Sequence, residues 1–178
     1  MWGLGLSLDE LAPLAAQLGS DVPFFLHGGT AMAQGRGERV RPMSPADLEW
    51  LVILKPDIDV EQKTASLYGR LTDANFTRGS LTRKLEARIN GGGDVPPQLL
   101  FNAFDDVAFD AFPGLERYWN ALYSLGAREI HLAGSGPSLF APVSRKEVGT
   151  ALHLMLKHQH GMEAYLTATW HPAKETQK

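Results

Sequence analysis

Cysteine is absent from all 178 residues. That excludes a disulfide scaffold, a thiolate zinc site and a cysteine nucleophile. A charge bias is missing as well. The chain carries 17 Lys and Arg against 20 Asp and Glu, a formal net charge of −3, so it has no bulk attraction for nucleic acid or anionic lipid. No stretch approaches the ~18 consecutive apolar residues that span a bilayer. The tightest apolar cluster, Val22-Pro23-Phe24-Phe25-Leu26, has the size of a strand. The first residues, Met1-Trp2-Gly3-Leu4-Gly5, have neither the basic nor the apolar region of a secretory signal. Internal repeats and low-complexity tracts are also missing. These absences lead to the expectation of a cytoplasmic protein with no nucleic-acid or membrane partner.

What is present is an ordinary globular composition. Apolar residues make up 44% of the chain, enough for a sizeable core, and the length bounds it to one large domain or two small ones. A helix is expected over 7–18. Ser7 and Glu10 form an S-x-x-E capping box, Leu8, Leu11, Leu14, Ala15 and Leu18 share a face, and Gly19 stands at the stop position. Pro13 should kink it. Such a helix needs a surface to pack on, and its place at the very start of the chain suggests a piece of something larger. Strands are expected at 22–27, 30–34 and 38–41, forming a small meander, with Pro42–Pro45 as a linker.

From residue 48 the pattern changes. A buried strand at 48–54 is followed by helical spacing at 59–71, 77–89, 99–109 and 115–125, strands at 129–133 and 139–143, a helix at 146–158 and a strand at 163–169. This order predicts an α+β fold with one antiparallel sheet covered by helices.

Two loops invite chemistry. Gly134-Ser135-Gly136-Pro137-Ser138 lies between strands. Successive amides there can form an anion-binding nest, and the same residues also suit a hairpin turn. The loop is neither a Walker A sequence nor a G-x-S-x-G elbow. Asp21 leaves the Gly19–Pro23 turn, where Pro23 should hold Val22 extended. It is either a solvated turn residue or a carboxylate placed to orient or deprotonate a substrate hydroxyl. Gly35-x-Gly37 lacks the third glycine of a dinucleotide fingerprint. His153, His158, His160 and His171 lack metal-ligand spacing.

Taken together, several stretches resemble one family. They are Leu18-Gly19-Ser20-Asp21-Val22-Pro23-Phe24-Phe25-Leu26, Gly28-Gly29-Thr30-Ala31, Gly35-Arg36-Gly37-Glu38, Pro56-Asp57-Ile58-Asp59-Val60, Thr64 to Tyr68, Asn102-Ala103-Phe104, and Leu132 to Ala141. They are similar to the 4-diphosphocytidyl-2-C-methyl-D-erythritol kinase family. It is a branch of the superfamily named for galactokinase, homoserine kinase, mevalonate kinase and phosphomevalonate kinase (GHMP). The resemblance implies phosphorylation of the substrate's 2-hydroxyl by ATP with Mg²⁺ in non-mevalonate isoprenoid biosynthesis, chemistry that needs positioning and charge neutralisation above all. It implies Asp21 as the catalytic carboxylate, Tyr68 packing on cytosine with Thr64 lining the same pocket, and Gly134, Ser135 and Gly136 supporting the ATP phosphate loop.

The resemblance also implies a division. Residues 1–45 would be a remnant of an N-terminal S5-like domain, 46–173 a ferredoxin-like C-terminal domain, and 174–178 a tail. The family's lysine-bearing first segment and its ATP-phosphate loop have no counterpart in this sequence. The chain by itself is therefore expected to be inactive and to hold neither ATP nor Mg²⁺ tightly, with residues 1–43 prone to aggregation or local disorder. A metal site within the chain is not expected, and a homodimer is left open. The alternatives are another GHMP kinase, of homoserine or mevalonate type, and a non-catalytic ligand-binding or dimerisation module.

Overall fold

In the computed structural model, residues 5–61 and 63–170 are described. His171 and the tail 174–178 lie outside them. The chain divides into two units. Among the described residues the first holds 5–47, 86–94 and 170, and the second holds 48–85 and 95–169.

In the first unit the capping box forms as its spacing dictates. The Glu10 N–H donates to Ser7 Oγ at 3.3 Å and the Ser7 N–H to Glu10 Oε2 at 2.8 Å, opening α1 (Leu8–Leu18). These bonds satisfy two donors that a helix start leaves free. α1 runs unbroken across Pro13, although the ring removes one backbone donor. Of its apolar face, Ala15 is buried while Leu8, Leu14 and Leu18 stand exposed.

The expected strand at 22–27 is a helical turn instead. Pro23 has φ −57° and ψ −30°, and α2 (Phe24–His27) follows directly. The N–H groups of Phe24, Phe25 and Leu26 each reach back three residues, to Asp21, Val22 and Pro23. A short apolar run fits a strand or a helix equally well by pattern, and Pro23, with its φ preset, tips it to the helix. Of the expected meander only the last two strands form, as a hairpin of β1 (Ala31–Gln34) and β2 (Arg39–Pro42), with Gln34 opposite Arg39. The second half of α4 (Ser80–Asn90) also falls in this unit, where the Glu86 carboxylate pairs with Arg41.

The second unit is built on a four-stranded antiparallel sheet in the order β4-β5-β3-β6. Its strands are β3 (Trp50–Lys55), β4 (His131–Leu132), β5 (Leu139–Val143) and β6 (Glu163–Ala168). Period-two alternation sends Val52 and Leu54 of β3, and Leu139 and Ala141 of β5, into one core. Leu67 from α3 (Lys63–Tyr68), Leu115 and Leu122 from α6 (Leu115–Ser124), and Leu152 and Leu156 from α7 (Lys146–Gln159) close over it. Gly149 lets α7 approach the sheet. A Cβ there would stand 2.5 Å from Leu166 Cδ1 and 3.0 Å from Val143 Cγ2. The helix expected over 99–109 is interrupted, and only α5 (Asp105–Ala111) is α-helical. The interruption lies at Asn102, whose side chain takes over local backbone bonds.

Candidate functional site

The site is assembled from the second unit's anchors outward. Pro56 is buried, the Asp57 N–H donates to the Tyr118 hydroxyl at 3.0 Å, and Ile58 and Val60 pack on the core. These contacts fix the approach to α3. Leu67 is fully buried and pins the helix, which leaves Thr64 and Tyr68, one turn apart, at the surface. Tyr68 is 62% exposed. It packs edge-to-face with Phe104, with ring centroids 5.1 Å apart at 88°. That contact orients an exposed phenol ring that can stack on a flat ligand.

Phe104 leads to the glycine loop. Its N–H donates to Asn102 Oδ1 at 3.1 Å, and Asn102 Nδ2 donates to the carbonyls of Leu132 at 3.1 Å and Gly134 at 2.7 Å. Residues 134–138 connect β4 to β5 as a hairpin, closed by the Ala133 N–H on the Ser138 carbonyl at 2.8 Å. Gly136 has φ 62°, and a Cβ on it would lie 2.7 Å from Leu132 Cδ1 and 2.9 Å from Phe112 Cε2. Only glycine meets both demands.

Asp105 backs this arrangement. Its carboxylate accepts the N–H groups of Asn102, at 3.2 Å, and of Leu132. Burial pushes its carboxyl above the usual carboxylate range, against the pull of those two N–H groups. Burial likewise pushes the His131 imidazole below its ordinary value, with Asp105 and Glu129 opposing the shift. His131 Nε2 is buried without a hydrogen-bond partner among the described residues, and its ring tilts against Phe140. Beside it lies a cavity of about 220 Å³ walled by Leu85, Leu99, Leu100, His131 and Phe140, with Asn102 as a polar edge.

Asp21 belongs to the first unit. It is exposed, its carbonyl accepts the Phe24 N–H at 3.2 Å, and the Gly35–Glu38 turn lies against it. A Cβ on Gly37 would stand 3.2 Å from Asp21 Oδ1 and 3.1 Å from the Ser20 carbonyl. Two of the stretches singled out in the sequence therefore meet at this carboxylate. The structure also joins Tyr68, the Asn102–Phe104 turn and the glycine loop into one continuous set of contacts. Among the described residues no three His, Asp or Glu side chains converge in a way that would hold a metal ion.

Asn102, Asp105 and His131 were not among the expected site residues. The available signal was the spacing Asn102-x-x-Asp105 at a helix start, which marks side chains competing for backbone donors. His131 carried no pattern at all.

No family model matches the chain. A 4-diphosphocytidyl-2-C-methyl-D-erythritol kinase of Dehalococcoides mccartyi is 42% identical over 173 residues, 97% of this chain and 60% of that protein. The kinase of the same name from Bacillus mycoides is 36% identical over 143 residues, 80% of this chain and 49% of that protein. Among solved structures, a 4-(cytidine 5′-diphospho)-2C-methyl-D-erythritol kinase superposes with a TM-score of 0.74 at 25% identity, over 94% of this chain and 58% of that one. A homoserine kinase from Cytophaga hutchinsonii, at 16% identity and a TM-score of 0.69, shares the fold. The chain thus spans about three fifths of the length of the first of these relatives.

Proposed function

We propose, for a chain homologous along nearly its whole length to 4-diphosphocytidyl-2-C-methyl-D-erythritol kinases of the GHMP superfamily, a part in ATP-dependent phosphoryl transfer to the 2-hydroxyl of that cytidine-bearing alcohol. The observation that supports this reading best is the run of contacts from an exposed Tyr68 through Phe104 and Asn102 to the Gly134–Ser138 loop. Tyr68 offers a flat face to a pyrimidine, and stacking of this kind contributes about 1–3 kcal/mol per base. Thr64, one turn earlier, lines the same surface. The glycine loop supports the phosphate side.

In this reading Asp21 is the catalytic residue. Exposed and set in a turn, its carboxylate orients the attacking hydroxyl and takes its proton as the hydroxyl oxygen bonds the γ-phosphorus of ATP and the bond from that phosphorus to the β,γ-bridging oxygen breaks, releasing ADP. Mg²⁺ comes with the nucleotide, held by phosphate oxygens and at most one or two carboxylates. Residues 1–45 carry the hydroxyl-activating part and 46–173 the substrate-holding part.

These 178 residues alone should hold the cytidine end of the substrate without turning over ATP, because the sequence carries no loop of the Walker or Gly-Leu-Gly-Gly-Ser kind. Titration calorimetry with cytidine 5′-diphosphate tests the reading. Binding weakened by about 10-fold in Tyr68→Ala and kept in Tyr68→Phe is the expected result, since a stacked ring without its hydroxyl still offers its face. Equal binding of homoserine, or no effect of Tyr68→Ala, would exclude this substrate class.

A further inference from the structure

β4 is an edge strand of the four-stranded sheet, with β5 on one side only. Edge strands leave the N–H and carbonyl of every second residue unpaired, and such groups need partners when they are not open to water. On β4 that outward-facing residue is Leu132, only 3% exposed. Its two polar groups are both taken by side chains from one turn. Asn102 Nδ2 donates to the Leu132 carbonyl, and the Asp105 carboxylate accepts the Leu132 N–H. The turn is also tied to itself, through the Asn102 N–H on Asp105 Oδ2 at 3.2 Å and the Phe104 N–H on Asn102 Oδ1 at 3.1 Å. Two side chains thus do for β4 what a neighbouring strand would do.

The second bond made by Asn102 Nδ2 reaches beyond the strand, to the Gly134 carbonyl at 2.7 Å. In a planar trans peptide the carbonyl and the following N–H point in opposite directions. Holding the Gly134 oxygen therefore fixes the plane of the Gly134–Ser135 peptide and aims the Ser135 N–H away from Asn102. No described residue accepts that N–H. Gly134 itself, with φ 57° and open space where a Cβ would be, offers little resistance to rotation. The loop's own bonds, Ala133 N–H to Ser138 and Gly136 N–H to Ala133, leave this one peptide unheld. Asn102 is the group that holds it.

We propose that Asn102 is a positioning residue: braced by Asp105 on the edge of β4, it fixes the Gly134–Ser135 peptide so that the Ser135 N–H is presented as a ready-aimed donor to an anionic oxygen of the phosphate class. The proposal rests on the phosphotransfer reading for the identity of the anion, and on the hydrogen bonds alone for the clamp. Pre-orientation matters because a donor that must be turned at the moment of binding contributes less than one already aimed.

Asn102→Asp is the informative variant. It keeps the size of the side chain and the acceptor used by Phe104, and it removes both donated bonds. Asn102→Ala serves beside it in case the added charge disturbs folding. Hydrogen exchange on the 178-residue chain reads the clamp directly. Exchange at Gly136, whose N–H is bonded to the Ala133 carbonyl, should accelerate by at least about 10-fold, the order expected when a hydrogen bond restraining a loop is lost, while Ala141 and Val52 in the sheet keep their rates. Affinities for cytidine and for cytidine 5′-diphosphate read the anion. The variants should keep cytidine affinity and lose the extra affinity contributed by the diphosphate. Unchanged exchange at Gly136 in both variants would overturn the clamp. Cytidine and cytidine diphosphate weakening in parallel would overturn the anion role and leave Asn102 a purely structural residue. If the wild-type chain binds neither ligand, the functional reading falls and the anion role with it, while the exchange rates still decide the clamp.

Discussion

At Gly136 a backbone demand and a space demand coincide. The residue has φ 62°, and the atoms that a Cβ would meet include Phe112, a ring only 1% exposed and unable to swing aside. An alanine there adds left-handed strain to overpacking, and together these cost about 2–4 kcal/mol. Gly136→Ala should lower the urea midpoint accordingly. A loss below about 0.5 kcal/mol, the range of ordinary surface changes, would mean that the loop and Phe112 yield more easily than their packing indicates. The neighbouring pair Asp105 and His131 makes a second prediction at this scale. Burial raises the Asp105 pKa, so its contribution to stability is complete below the unfolded value of about 3.9 and is lost as pH rises through the folded one. Burial depresses His131, so its contribution is present above about 6.5 and is lost as pH falls through the folded value. The two act in opposite senses, and Asp105 props up the imidazole. Removing that charge in Asp105→Asn should move the His131 titration midpoint, followed by the ring-proton NMR shift, further down. An upward movement would show that the carboxylate is not what opposes burial there.

Among the elements, α7 depends on one small residue. The contacts a Cβ would make at Gly149, with Leu166 and Val143, set how closely the helix lies on β5 and β6. Gly149→Val places two further methyl groups in that contact and should cost about 1–3 kcal/mol by overpacking, read as a lower thermal midpoint. An unchanged midpoint would show that α7 can lift without loss. The sequence pattern was legible where patterns are long. β5 falls at 139–143 as expected, α7 starts at Lys146, and the capping box opens α1. It misled at 22–27 and 99–109, for two different reasons. Five apolar residues carry no period to separate strand from helix, so Pro23 decided the first. At 99–109 the apolar spacing was helical, but Asn102 and Asp105 capture the N–H groups that helix bonds would have used. That capture is also why the site was only half legible. Tyr68 and the glycine loop stand out as residue types, whereas the turn that joins them is visible only as hydrogen bonds.

Across the whole molecule the apolar core is unevenly shared. The contiguous cluster of buried side chains, from Val52 and Leu54 to Leu156 and Ala164, lies in the second unit. In the first, the buried residues among those described are Ala15, Pro23 and Ile89, while Leu18 at 82% and Phe25 at 77% exposure add nothing to its own core. Each apolar side chain left in water forgoes about 1.5–3 kcal/mol of burial, so the first unit draws its order from local bonds: the capping box, the β1–β2 ladder and the Arg88–Asp94 pair. Local bonds open separately, whereas a common core opens only as a whole. Amide exchange followed by mass spectrometry should therefore divide the chain. Peptides from 5–47 should exchange through low-energy openings, and those covering β3, β5 and α6 only with global unfolding. Moderate urea should narrow the difference, since only opening of the shared core exposes a large surface and only its exchange accelerates steeply with denaturant. Equal protection over 5–47 and over the sheet would overturn this, and would mean that the exposed leucines of α1 and Phe25 are covered in solution.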